Sequence, residues 1–177
     1  MYRKHYKYLN ILYFLAWHLS VDTKPKFLRQ LLDMRQMMEP KAAGWAAQHG
    51  TDAQHADIEA AQIRMEEESH SIEDFVVADA LFHRAILRAA NNEILLSMEG
   101  VIFSALLSSI RLTNRDPREN ASSIPFHREV LDAIKARDHK QAQKMMNGHL
   151  YDTSQRLKSV LGETAGGDIK NKKLQMN

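Results

Sequence analysis

The segment VVADALFHRAILRAANNEIL, Val76 to Leu95, decides how this chain is read. Its apolar residues, Val76, Val77, Leu81, Phe82, Ile86 and Leu87, recur at helical spacing, and Asn91 and Asn92 break the pattern. Within it Asp79 and His83 stand four apart, which on a helix places a carboxylate and an imidazole on one face. Two polar groups sharing a helix with so many apolar residues face something other than open water.

The same periodicity extends in both directions, with no sustained alternation of period two and only four prolines and seven glycines in 177 residues. The fold class is therefore all-α. A first helix is predicted from about Pro25 into the forties, carrying Leu28, Leu31, Leu32, Arg35, Met38, Ala42, Trp45 and Ala46, with a kink at Pro40. Gly50 closes it, and Thr51 or Asp52 caps a second helix bearing Ile58, Ala61, Ile63 and Met65. The third runs from about Ile72 to Ala90. A fourth, EILLSMEGVIFSALLSSIRL, is apolar nearly all round and is expected at the centre. TNRDPRENASSIP reads as the longest loop, a fifth helix as starting near Pro125, and a sixth as spanning His139 to Leu161.

One domain fits this length. The formal net charge is only +2, so nothing global marks a nucleic-acid surface. The absence of cysteine removes disulfides, thiolate metal sites and thiol nucleophiles, and makes a cytoplasmic location the default expectation. MYRKHYKYLNILYFLAW opens like a secretory signal, but Asn10 interrupts its apolar run and no small-residue cleavage site follows. It is also shorter than the roughly 20 residues of a membrane span, so no membrane partner is expected. The tail, residues 162–177, has too little apolar content to pack and is expected to be flexible.

Asp79 and His83, with His127 on the fifth helix and His149 on the sixth, form a candidate metal set: three imidazoles and one carboxylate suit a divalent ion such as zinc or nickel and leave positions open. Only the D-x3-H pair is local. The plain alternative is three unrelated histidines, one hydrogen-bonded in the core and two on the surface. His5, His18, His49, His55, His70 and His139 fall near helix ends, loops or exposed faces and show no usable pattern.

The ordered series MRQMMEPKAAGWAAQ, DALFHRAILRAANNEIL and PFHREVLDAIKARDHKQAQKMMNGHL resembles the C-terminal effector-binding (FCD) domain of the FadR-like branch of GntR-type bacterial transcription regulators. The likeness covers about Trp17 to Leu161. It rests on Arg35 with Glu39, Asp79 with His83, Asn92, and His127 with His149. It implies an antiparallel bundle of about six or seven helices holding a metal on Asp79, His83, His127 and His149, with a small organic acid beside it. LAWHLS, leading into LRQLLDMRQMMEP, is most similar to the branch that senses sugar acids such as galactonate.

The resemblance makes residues 21–161 the ligand-binding domain and residues 1–20 the remnant of an interdomain linker. It also implies a homodimer. Because no winged helix-turn-helix fits before the matching region, this chain alone is not expected to bind DNA. Arg35, Asn92 and Arg111 are the candidate effector-binding residues. For Arg35 the alternative is a surface pair with Glu39, and for Arg111 a solvated cation at a helix end. Two other function classes stay open: a metal-dependent enzyme acting on a small organic acid through the same four ligands, and a helical interaction module without a small-molecule site.

Overall fold

The computed structural model describes residues 25–113 and 117–162; several side chains between 101 and 119, Arg111 among them, fall outside that description. The described residues form six helices: α1 (Pro25–His49), α2 (Asp52–Glu67), α3 (Ile72–Ala89), α4 (Glu93–Thr113), α5 (Pro117–Lys135) and α6 (His139–Val160). They pack as an antiparallel bundle. Short links join consecutive helices, and α1 lies mainly against α6, the last helix, and then against α3. Ala42, Ala43, Ala46 and Ala47 are all buried in α1. Gly44 among them leaves room for a side chain of α6: a Cβ there would run into the amide end of Gln143.

Local chemistry sets the helix ends. Thr51 caps α2 through its hydroxyl, which accepts from Gln54 N–H at 3.2 Å, while the Gln54 side chain accepts from Thr51 N–H at 2.9 Å. That reciprocal pair satisfies two otherwise orphaned donors. Thr51→Ala is expected to cost about 1 kcal/mol of stability, read as a lowered midpoint in urea with an unchanged slope. Asn91 takes φ 50°, the left-handed turn that asparagine tolerates, and its amide donates to His49 O at 2.7 Å. Asp138 caps α6.

Three expectations need correction. The helix α4 is not central: it packs chiefly on α3 and leaves Ile94, Leu96 and Met98 exposed, so all-round apolarity does not translate into all-round burial here. The segment from Pro117 to Ile124 is helical rather than loop, because a proline is tolerated in the first turn, and α5 continues through Pro125. His55 is buried, with its Nε2 2.9 Å from Ala46 O, close under Gly50. Helix α1 spans Pro25 to His49 with the buried Pro40 inside it, the extent that its apolar periodicity predicts. The N-terminal apolar run, including Trp17, and the tail beyond Gly162 lie outside the described residues.

Candidate metal centre

Four helices send polar side chains to one buried point. From α1 come Arg35 and Glu39, from α3 Asp79 and His83, from α5 His127 and from α6 His149, each no more than 4 % exposed. Both pairs on single helices are spaced i, i+4, so one turn of each helix delivers two groups. His83 Nε2 lies 3.2 Å from Asp79 Oδ1 and 3.3 Å from His149 Nε2, and His127 Nε2 lies 3.4 Å from the same Asp79 oxygen. The His127 and His149 ring centroids are 4.2 Å apart. Phe82 closes one side, its ring edge-on to His83 and His127.

The proton positions follow from the partners. His127 Nδ1 is 2.9 Å from Ser123 O, and a carbonyl only accepts, so the proton sits on Nδ1 and the lone pair on Nε2. That lone pair faces a carboxylate oxygen. Asp79 Oδ1, His127 Nε2 and His149 Nδ1 are buried with no hydrogen-bond partner. Acceptor opposed to acceptor in a dry site is costly unless a positive charge lies between them.

The electrostatics point the same way. Arg35 contributes one buried positive charge and Glu39 and Asp79 two negative ones, so with the imidazoles in the neutral form that a metal ligand takes, one negative charge is in excess. Burial raises the Glu39 carboxyl, but Arg35 and His83 outweigh it and bring its pKa down to about 2. Asp79 is likewise pushed up by burial and drawn well below the carboxylate range by His127 and His83. Burial disfavours a charged His83 and Arg35 opposes it as well, but Glu39 and Asp79 together outweigh both and raise its pKa. His149 is held well below the usual imidazole value by burial and by the neighbouring His127 and His83.

An ion bound at about 2.0–2.2 Å holds adjacent ligand atoms roughly 3.0–3.5 Å apart, the range of the His83–Asp79, His149–His83 and His127–Asp79 distances, and the donor atoms of the three histidines all lie within 4.8 Å of one another. The donor set fits a divalent cation. Glu39 was not singled out as a site residue from the sequence, yet its Oε2 lies 2.7 Å from His83 Nδ1 and its Oε1 accepts from Arg35 Nε at 2.7 Å. The N–H of His83 is off the line to that oxygen, so this is a close ion-pair contact rather than a straight hydrogen bond. The signal for Glu39 was available: it sits one turn from Arg35 on the stripe that carries Leu28, Leu31, Leu32, Ala42 and Ala46.

Arg35 pairs with Glu39 in the interior rather than on the surface. Asn92 serves as a cap of α4, its Oδ1 accepting from the backbone N–H of Ile94 and Leu95 at 3.0 and 3.1 Å. Arg111 belongs to the last turn of α4, with its side chain outside the described residues. A cleft of about 350 Å³ between α2 and α3, lined by Gln54, Asp57, Arg64, Leu81, Arg84 and Arg88 among others, shares no residue with the cluster.

The FCD domain profile matches residues 30–152, which contain every member of the cluster. This chain belongs to the FCD domain family. Curated proteins similar to this chain carry the names of transcription regulators. The chain is 27 % identical over 148 residues to the galactonate operon transcriptional repressor of Escherichia coli, covering 82 % of this chain and 64 % of that protein. It is 25 % identical over 148 residues to the Glc operon transcriptional activator of Escherichia coli, covering 78 % and 58 %, and 28 % identical over 137 residues to the repressor NanR of Salmonella newport, covering 75 % and 52 %. The chain thus spans between about half and two thirds of the curated relatives it matches. In solved structures the fold is shared with Escherichia coli McbR/YncC, TM-score 0.66 at 18 % identity over 76 % of this chain and 65 % of that one. It is shared also with a Streptococcus agalactiae GntR protein, TM-score 0.61 at 22 % identity over 77 % and 61 %. No helix among the described residues is long and apolar enough to cross a membrane.

Proposed function

We propose that this FCD domain is a metal-dependent sensor of a small carboxylate, of the sugar-acid class to which galactonate belongs, within a transcription regulator. The observation that carries the reading is the convergence of His83, His127 and His149 with Asp79 at one buried point, where His127 Nε2 lies 3.4 Å from Asp79 Oδ1 and neither atom has a hydrogen-bond partner in the protein. In this reading Asp79, His83, His127 and His149 are the ligands. Zinc or nickel suits three imidazoles and a carboxylate.

The charge balance then selects the effector. A dication turns the one buried negative charge in excess into one positive charge in excess, and a monocarboxylate restores neutrality in a site where net charge is expensive. Arg35 supplies the planar donor fork for that carboxylate, and Arg111 is a second candidate for the remaining oxygens. The name of the galactonate operon repressor supports a sugar acid over other acids. We read the domain as a homodimer, which the exposed Ile94, Leu96 and Met98 of α4 support.

Melting the protein with zinc or nickel and a panel of sugar acids, while the acid is quantified before and after, tests the reading. A sensor gains stability with metal and again with its acid and leaves the acid intact, by about 2.7 kcal/mol at a hundredfold excess over Kd. No gain from any metal would sink it, and consumption of the acid would make the site an enzyme's.

A further inference from the structure

The Arg35–Glu39 pair lies outside the four proposed ligands yet is tied to one of them. With a carboxylate 2.7 Å from His83 Nδ1, the imidazole proton resides on that nitrogen and the lone pair on Nε2. Arg35 Nη2 sits 3.2 Å from Nε2. A guanidinium has only donors, so the contact requires that lone pair as acceptor. The same Nε2 is the atom nearest Asp79 Oδ1 and His149 Nε2, and so the one through which His83 would reach a cation. One lone pair cannot serve both, and two positive charges meeting there would repel in a dry interior.

We propose that Arg35, held in place by Glu39, is a built-in competitor for the cation at His83 Nε2, and that a carboxylate ligand tightens the cation by drawing the guanidinium away. This rests on the metal-centre reading given above and adds its regulation. Acid and cation then bind with positive coupling, and each raises the affinity of the other by the same factor, typically roughly 5- to 150-fold. The two members of the ion pair act on the cation in opposite directions. Glu39 strengthens it by fixing the His83 tautomer and raising the basicity of Nε2; Arg35 weakens it. A pair that merely braced α1 against α3 would make both substitutions weaken the site alike.

Zinc alone, titrated in competition with a chromogenic chelator, distinguishes these cases in wild type, Arg35→Met, Arg35→Lys and Glu39→Gln, with folding checked by circular dichroism. Arg35→Met is expected to bind zinc about tenfold more tightly than wild type. Arg35→Lys keeps the charge but cannot hold Glu39 and reach His83 at once, so it too binds more tightly. Glu39→Gln is expected to bind roughly 10- to 100-fold more weakly. Zinc affinity in Arg35→Lys equal to or below wild type overturns the proposal and leaves the centre standing, as does an undiminished affinity in Glu39→Gln. No zinc binding by wild type removes the centre itself and the proposal with it. If Arg35→Met fails to fold, the lysine variant decides alone.

Discussion

Replacing His127 and His149 together by alanine is expected to abolish metal binding, the largest single effect this site offers. Two of the four proposed donors disappear, those on α5 and α6, leaving Asp79 and His83 one turn apart on α3. A complete four-ligand zinc site is worth about 10–16 kcal/mol at neutral pH. Losing half the donors takes away a large share of that, many orders of magnitude in affinity. Elemental analysis of purified protein should show close to one equivalent of zinc, nickel or a similar ion in wild type and a background level in the double variant. The helical signal should persist in both, since the apolar core of Phe75, Phe82, Ile86, Leu131 and Ile134 is untouched. Stoichiometric metal in the double variant would mean that these histidines are not the ligands.

The legibility of this site in the sequence divides by distance along the chain. Asp79 and His83 were readable as a pair because one helical turn fixes their relation whatever the rest of the fold does. His127 and His149 were not readable as their partners from spacing, since nothing local aims α5 and α6 at α3. The likeness to the FCD domain supplied that convergence. The boundaries of α1, α2 and α3 were legible for a similar reason, with caps and breakers at Gly50, Thr51 and Asn91 acting within a turn or two. Pro117 misled because the first turn of a helix has no use for its missing N–H, whereas Pro125 lies inside α5, which runs through it at the cost of one backbone hydrogen bond. The position of α4 was illegible because hydropathy reports how apolar a helix is and not how many neighbours it meets. Glu39 shows the other limit. A charged residue on an apolar stripe reads as a defect until the cation or imidazole it neutralises is in view, and the contact with His83 spans 44 positions of chain.

Arg35→Ala and removal of the metal should each abolish acid binding in calorimetric titrations with D-galactonate, gluconate and lactate. The proposed effector is an anion that leaves water for a buried pocket, and its charge is met there by the cation on one side and the guanidinium on the other. Removing either leaves the carboxylate desolvated with half its compensation, a loss on the order of 2 to 5 kcal/mol, or roughly thirtyfold to several thousandfold in Kd. The two losses differ in kind. Stripping the metal removes the acid's anchor together with the charge that makes room for it. Arg35→Ala frees His83 Nε2 and should raise zinc affinity even as it eliminates acid binding. A variant that binds metal better and acid worse cannot be explained by general damage to the fold, which would weaken both. A sugar acid that binds the stripped protein and Arg35→Ala as tightly as wild type would show that recognition does not run through the cation and the guanidinium, and the cluster of α1, α3, α5 and α6 would then need a different ligand.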